Sequence, residues 1–319
     1  MNGHFIISLD YELFWGLSGW NEVQLSSYRR NIENANKALR NIVLLLKKYD
    51  IKASIAFVGA MNNDSMKGYA EENKGYVPKY NDKKFAAINS VIPYVIKEKR
   101  YDWLFSSDMI DWLKTNSNIE LATHTYSHFY CLEDGTNEDN FKEDLALIKK
   151  NAYDHSIELS TIIFPRNQVR NSFLEFSKQN GFTHFRGTLN TFLYKTDKTR
   201  NRFSIKGALR LLDSYINLSG YNDYFIKPVS NSTLINVPGS RFLRPYSKTL
   251  SLLDGLRKQR IKNSMKHAAK HGMIYHLWWH PHNFGVNMKE NLLFLEDICK
   301  YYIELRDKYF FKSSFIKDM

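Results

Sequence analysis

The feature that most constrains this fold is a repeated alternation of short apolar segments with segments of helical periodicity. The first apolar segment, HFIISLD, is rich in β-branched residues and ends at Asp10. Strands that alternate with helices predict a parallel sheet with right-handed crossover connections. About seven such strands predict an α/β barrel. The predicted strands cover residues 4–10, 52–59, 119–124, 160–165, 183–187, 234–242 and 273–281.

One long segment interrupts this alternation. Residues 59–118 are polar and irregular, and within them we predict helices near 83–98 and 106–116. The chain has 319 residues, of which 43% are hydrophobic, and it shows neither a repeat nor a linker. We therefore predict a single domain over residues 1–319 with a long helical insertion after the second strand. The insertion carries aromatic side chains that either face a ligand or pack a small core of their own: Tyr69, Tyr76, Tyr80, Tyr101, Trp103 and Phe105.

Charge and cysteine content narrow the choice of partner and compartment. The formal net charge is +12 and the pI is near 9.4, which favours an anionic partner. The sequence has no RNP, KH or helix-turn-helix signature, so we do not expect the anionic partner to be nucleic acid. The start, MNGHFIISLDYE, lacks a basic region, and no apolar run approaches the roughly 20 residues that span a bilayer. Cys131 and Cys299 have no CxxC partner, so we expect reduced thiols in a cytoplasmic protein.

Polar residues follow the predicted strands at their carboxyl ends, where parallel barrels have their active sites. Asp10 and Glu12 are two residues apart, so on an extended backbone both point to the same side. His124 and His128 in HTYSH have the spacing that puts two imidazoles on one helical face, a common geometry for metal ligands. A carboxylate with two histidines is a known open site for a hydrolytic divalent metal. Later strands are followed by Pro165-Arg166-Asn167, by Ser240-Arg241, and by His280 and His282 in WWHPHNFG.

Each of these groups also has an ordinary structural interpretation. A carboxylate at a strand end is often a helix cap or an ion-pair partner. Most histidine pairs at this spacing are surface or core residues, and Arg166 beside Pro165 fits a surface ion pair. Their recurrence at one face of one architecture favours a functional site.

In this order the motifs resemble those of the polysaccharide deacetylases of carbohydrate esterase family 4, which have the NodB-homology fold. SLDYELFWG resembles a variant of the first motif of that family, HTYSH the second, FPRNQ the third with altered order, and HLWWHPHNFG the last. The resemblance covers residues 5–285 apart from the insertion and is that of a divergent member. It implies a distorted (β/α)7 barrel that hydrolyses N-acetyl groups, or sometimes O-acetyl or formyl groups, on amino sugars.

The resemblance also implies roles for the matching residues. The implied metal ligands are Glu12, His124 and His128, and the expected cofactor is one divalent metal ion, zinc. The implied catalytic residues are Asp10 as the base, His280 as the acid and Arg166 as the group that orients Asp10.

Two departures from the family pattern leave alternatives open. Tyr11 stands where the metal-binding Asp of the family normally lies, so Asp10 could be the ligand in place of Glu12, which would leave the base unassigned. Arg166 follows Pro165 instead of preceding it. Within the last motif, His282 competes with His280 for the role of acid.

The implied function is a metal-dependent hydrolase that removes an N-acyl group from an amino sugar during surface-polysaccharide synthesis (O-antigen or capsule). The positive charge and the cytoplasmic start lead us to expect an anionic substrate, a nucleotide-linked or lipid-linked amino sugar, and with it a peripheral membrane contact. Two alternatives remain. One is hydrolysis of a non-sugar C–N bond, in a formamide or ureide, on the same barrel; the other is a catalytically inactive glycan-binding protein.

Overall fold

The computed structural model describes residues 2–189, 191–194, 205–226 and 234–319. In these residues nine β-strands form one sheet. They are β1 (His4–Tyr11), β2 (Ala53–Phe57), β3 (Ile119–Thr123), β4 (Thr161–Ile163), β5 (His184–Arg186), β6 (Ile235–Asn236), β7 (Arg241–Phe242), β8 (Ile274–Trp279) and β9 (Lys312–Ser314). The strand predicted over 234–242 is divided into β6 and β7, which pair with different strands, β5 and β8.

The sheet curls into a distorted (β/α)7 barrel, as predicted. Its strand order is β6-β5-β4-β3-β2-β1-β8-β7, and neighbouring strands are parallel. Since β6 pairs with β5 and β7 pairs with β8, the segment from Ile235 to Phe242 joins the two edges of the sheet. Within it, the Gly239 amide donates to the Gly187 carbonyl at 3.1 Å, and the Ser240 amide donates to the His276 carbonyl at 2.8 Å.

Helices surround the barrel. Ten α-helices occur in the described part of the chain: α1 (Glu22–Glu33), α2 (Ala35–Lys48), α3 (Met66–Asn73), α4 (Val91–Glu98), α5 (Ser107–Lys114), α6 (Glu138–Asp154), α7 (Asn171–Gln179), α8 (Ile205–Leu212), α9 (Asp254–His271) and α10 (Met288–Tyr309). Across the described ranges, no helix combines the length and the apolar composition needed to cross a membrane.

Helices α3, α4 and α5 lie between β2 and β3, in the segment predicted as an insertion. Of its six singled-out aromatic residues, Tyr101 is exposed and the other five are buried: Tyr69, Tyr76, Tyr80, Trp103 and Phe105. Four of them belong to the main core between the sheet and the helices, and Tyr80 packs with Ala86 and Tyr130 in a small cluster. The aromatic residues of the insertion therefore mostly extend the main core and do not form a core of their own.

Side chains on β1 alternate between the barrel lumen and the helix layer. Ile6 belongs to the cluster that fills the lumen, together with Ala56, Ala122, Ile163, Val237, Ile274 and Ile316. Phe5, Ile7 and Leu9 belong to the larger cluster between the sheet and the helices. Because strand side chains alternate with a period of two, Ser8 and Asp10 follow Ile6 into the lumen. The strand thus passes from an apolar beginning to a charged carboxyl end.

Candidate active site

The candidate site lies at the carboxyl end of the barrel lumen. On several strands an apolar residue of the lumen cluster comes first, and a polar residue follows at an even spacing on the same side. The pairs are Ile6 and Asp10 on β1, Ala122 and His124 at the end of β3, and Ile274 and His280 at the end of β8. The period of two therefore brings together residues that are far apart in the sequence.

Glu12, His124 and His128 form a buried group. Oε2 of Glu12 is 2.9 Å from Nε2 of His128 and 3.3 Å from Nε2 of His124. One ligand atom from each side chain lies within 4.8 Å of the other two, and within the described ranges this is the one group of three or more His, Cys, Asp or Glu residues with such a geometry. The structure thus brings the three predicted ligands together in a group that could hold one metal ion.

The hydrogen bonding of His124 fits a cation at this position. Its Nδ1 lies 2.7 Å from the carbonyl oxygen of Ile163, which can only accept, so Nδ1 carries the proton. In the uncharged form that binds a metal, Nε2 presents a lone pair to Oε2 of Glu12, which is also an acceptor. Two acceptors 3.3 Å apart repel each other unless a proton or a metal ion lies between them. A bond from Nδ1 to a carbonyl is also how proteins commonly orient histidine ligands.

The protonation states suit metal ligands as well. Burial alone would raise the pKa of Glu12, but the imidazoles of His280, His124 and His128 lower that pKa well below its usual value. Burial lowers the pKa of the His128 imidazole to about 4, although Glu12 opposes this shift. At neutral pH the group therefore consists of an ionised carboxylate and an uncharged His128, the states that a metal requires of its ligands.

Arg186 holds Asp10 from across the lumen. Its Nη1 and Nη2 donate to Oδ1 and Oδ2 of Asp10, both at 2.7 Å, and the two side chains are buried. Arg186 also donates to Oδ1 of Asn167 at 3.1 and 3.0 Å and to Oγ of Ser8 at 3.0 Å. Burial would raise the pKa of Asp10, but the guanidinium lowers it below its usual value. Asp10 is therefore ionised and fixed in orientation.

The role expected for Arg166 is corrected by these contacts, because Arg186 orients Asp10. Nη1 of Arg166 donates to Oε1 of Glu133 at 3.1 Å instead. Arg166 and Asn167 both have positive φ, 55° and 51°, and this turn brings Asn167, rather than Arg166, to the Asp10–Arg186 pair. The sequence signal for Arg186 was its position at the carboxyl end of the predicted strand THFRG.

His280 faces both carboxylates. Its Nε2 is 3.5 Å from Oε1 of Glu12 and 3.7 Å from Oδ2 of Asp10, and its side chain is 21% exposed. The His282 ring stacks on it with the ring centroids 5.0 Å apart, but His282 is buried, and burial lowers its pKa to about 3. Because His280 reaches from the carboxylates toward solvent, it is better placed to protonate a leaving group.

The loop that carries His128 has an unusual backbone conformation. Thr125 and His128 have φ values of 66° and 60°, a region that is costly for a β-branched residue. Asp144 on α6 accepts hydrogen bonds from the amides of Tyr126 at 2.8 Å and Ser127 at 3.1 Å, and from the Ser127 hydroxyl. These bonds fix the turn and so position His128. Asp144 is not among the predicted site residues, because a carboxylate within a helical pattern usually faces solvent.

Comparison with solved structures identifies the fold. No family model and no curated protein match this sequence. The structure is similar to that of a putative polysaccharide deacetylase from Mycobacterium smegmatis, with a TM-score of 0.53 and 10% identity over 94% of this chain and 85% of that chain. It is also similar to the Puue allantoinase, with a TM-score of 0.52 and 12% identity over 94% and 84% of the two chains. The α-amylase AmyC from Thermotoga maritima gives a TM-score of 0.54 and 9% identity over 99% and 73%.

These likenesses confirm, at the level of the fold, the resemblance to polysaccharide deacetylases inferred from the motifs. The named proteins are a deacetylase, an allantoinase and an amylase, so one barrel serves several activities. The reaction must therefore be argued from the residues of the site.

Gly16 provides a test of the Glu12 position. A Cβ at Gly16 would lie 2.0 Å from Oε1 of Glu12. We predict that Gly16→Ala displaces the carboxylate and lowers Zn²⁺ affinity about 10–100-fold, as loss of a ligand's support does. The Tm should change little because a side-chain end can move aside. Calorimetric titration with Zn²⁺ measures the effect. Gly255→Ala on α9, where an added Cβ meets nothing within 4 Å, is the control; equal affinities in the two variants would contradict the prediction.

Arg186 provides a test of the state of Asp10. Arg186→Lys keeps the positive charge but loses the bidentate hydrogen bonding to Asp10, so the pKa of Asp10 should rise. If Asp10 must be ionised to act as a base, the low-pH limb of kcat/KM should move to higher pH. A pH–rate profile measures the shift. Arg166→Lys should leave that limb where it is in the unmodified protein, and an unmoved limb in Arg186→Lys would rule out this role for Arg186.

Proposed function

We propose that this protein is a metal-dependent hydrolase that removes an N-acyl group, acetyl or formyl, from an amino sugar. The observation that supports it is the pair of buried carboxylates with different partners. Glu12 faces the Nε2 atoms of His124 and His128, whereas Asp10 is bound by a guanidinium. Deacetylation of this kind needs one carboxylate for a metal and another for a proton.

The side chains of the candidate site have different roles in amide hydrolysis. Glu12, His124 and His128 would hold a divalent metal ion, which would supply a Lewis acid for the carbonyl and for the attacking water. Asp10, kept ionised by its guanidinium partner, accepts the proton of the attacking water. His280 donates a proton to the departing nitrogen, which is otherwise a poor leaving group. We propose zinc as the metal, because it is commonly bound by histidine and carboxylate ligands with one position left open.

Aromatic side chains beside His280 support a sugar substrate. The rings of Phe242 and Trp278 are partly exposed, with centroids 5.8 and 5.9 Å from that of His280. Flat apolar rings next to polar groups suit the apolar face of a sugar ring. The net charge of +12 favours an anionic amino sugar, nucleotide-linked or lipid-linked, used on the cytoplasmic side in surface-polysaccharide synthesis.

A second function is favoured by the allantoinase that shares this fold. In that case the same residues would hydrolyse a non-sugar C–N bond in a ureide or formamide. Two measurements separate the sugar hydrolase from the ureide hydrolase. The metal content of the purified protein is determined, and acetate and formate release from UDP-linked acylamino sugars is compared with hydrolysis of allantoin. Acyl release from the sugars supports the proposal, and hydrolysis of the ureide alone replaces it. Glycan binding without any hydrolysis would indicate an inactive binding protein.

Substitution of Asp10 and Glu12 tests which carboxylate binds the metal and which accepts the proton. We predict that Glu12→Ala loses the metal, because it removes a ligand. Asp10→Asn should retain the metal and lose turnover by about 10²–10⁴-fold, the usual contribution of a general base. Metal content by mass spectrometry and steady-state kinetics measure the two effects. The opposite pattern, with metal lost in Asp10→Asn, would exchange the roles.

Replacement of His280 tests the acid. We predict that His280→Ala keeps the metal and the substrate affinity and lowers kcat for amides by about 10²–10⁴-fold. The loss should be smaller for an activated aryl ester, because that leaving group needs no proton. Parallel kinetics on both substrates measure the difference, and His282→Ala should not reproduce it. Equal losses on amide and ester would mean that His280 only positions the site.

A further inference from the structure

The net charge of the chain comes from one segment. Residues 191–272 contain 16 Lys and Arg against 4 Asp and Glu, whereas the rest of the chain contains 29 of each. The described residues of the same segment also include 11 of the 20 large apolar side chains that are exposed in the described ranges. Arg241, Arg257 and Arg260 of this segment are buried, so its positive surface charge comes from the other lysines and arginines. These occur in the same stretch of sequence as the exposed apolar side chains.

Helix α8 turns its apolar side outward. Ile205 is 82% exposed and Leu212, two turns later, is 49% exposed. The half-buried side of the helix carries Lys206 and Arg210 as well as Leu209. Nζ of Lys206 is 5.2 Å from the ring of Phe192, and Nε of Arg210 donates to the carbonyl of Leu193 at 2.5 Å. A surface helix normally packs its apolar face on the core. The reversed orientation means that this face is available to a partner.

Exposed apolar side chains also occur in the segment before α9 and in its first turn. Leu252 is 98% exposed, Leu256 is 51% exposed and Leu253 is 39% exposed. Lys248, nearby in the sequence, is also exposed. We call the set of Phe192, Ile205, Leu212, Leu252, Leu253 and Leu256 the rim patch.

The rim patch borders the mouth of the lumen. Phe192 follows the carboxyl end of β5, and the three leucines follow that of β7, so both loops leave the barrel on the side of the candidate site. The chain from Phe242 to Arg244 connects the candidate site with α8. The ring centroid of Phe242, at the end of β7, lies 5.8 Å from that of His280. Two residues later, Nε of Arg244 donates to Oγ of Ser214, just after α8, at 2.8 Å.

We propose that the rim patch docks on an anionic lipid bilayer. Its leucine and isoleucine side chains enter the boundary between headgroups and acyl chains. Lys206, whose Nζ lies 5.2 Å from the Phe192 ring, and the exposed Lys248 attract the negatively charged headgroups. A second copy of this chain fits less well, because the same positive segment would face itself. The proposal does not depend on the hydrolytic function, since it concerns which face of the barrel meets the membrane.

Co-sedimentation with vesicles tests the proposal, using phosphatidylcholine alone and phosphatidylcholine mixed with phosphatidylglycerol. We expect binding to the anionic vesicles, weakened by salt because screening acts on exposed charges. Leu252→Glu and Ile205→Glu should each weaken vesicle binding by about tenfold or more, because an aliphatic side chain that enters the bilayer is replaced by a charge. Leu44→Glu on α2, where Leu44 is 54% exposed, is the matched control. Tm measurements on all variants verify that they fold.

Three results would overturn the proposal. The first is vesicle binding that the rim-patch substitutions leave unchanged. The second is an equal loss of vesicle binding in Leu44→Glu. The third is absence of vesicle binding together with a protein dimer in ultracentrifugation that Leu252→Glu dissociates. The assay needs no turnover, so it is independent of the proposed hydrolysis. A protein that binds anionic vesicles through the patch but releases no acyl group would support docking and refute the hydrolase.

Discussion

Two carboxylates buried two residues apart at the mouth of an apolar barrel are the constraint on which the rest of the site depends. An ionised carboxylate is costly to bury unless positive charge or hydrogen-bond donors compensate it. Asp10 obtains this compensation from Arg186, which β5 delivers from across the lumen. Glu12 faces two imidazoles at 2.9 and 3.3 Å, which carry no opposing charge when neutral. The difference favours Glu12 as the metal ligand and Asp10 as the group that moves a proton.

A third buried carboxylate shows how partners determine charge in this barrel. Glu120 on β3 accepts hydrogen bonds from the hydroxyls of Thr161 at 2.6 Å and Ser54 at 2.5 Å, and burial raises its pKa. Ser54 in turn accepts a bond from the amide of Ile316 at 2.9 Å, in the residues that close the amino end of the lumen. At that end burial raises the pKa of the carboxyl and the hydrogen-bond network seals the barrel, whereas imidazoles lower the pKa of Glu12 at the other end. Two buried glutamates of one lumen are therefore shifted in opposite directions by their different partners.

Sequence reasoning predicted the features that depend on local pattern. The alternation of strands and helices predicted the barrel, and the motifs together with the family resemblance selected Glu12, His124, His128 and His280, which the structure brings together. Arg186 lies at the carboxyl end of the predicted strand THFRG, but the sequence does not show that it meets Asp10, 176 positions away, across the curved sheet. Arg166 was assigned wrongly because the positive φ values that turn it toward Glu133 leave no mark in the sequence. Asp144 was missed for a related reason: its partners are the backbone amides of a loop that folds back onto α6.

The polarity of the strands also connects the candidate site with the rim patch. In a parallel barrel all loops after the strands emerge at one face, so the loops after β5 and β7 have to surround the same opening as Asp10 and His280. A barrel docked through Leu252 and Ile205 would therefore turn this opening toward the lipid headgroups. An amino sugar linked through phosphate to a lipid would reach the carboxylates without leaving the membrane surface, whereas a free nucleotide sugar would gain nothing from docking. Under the proposed docking, the concentration of all net charge in residues 191–272 would favour a lipid-linked substrate over a nucleotide-linked one.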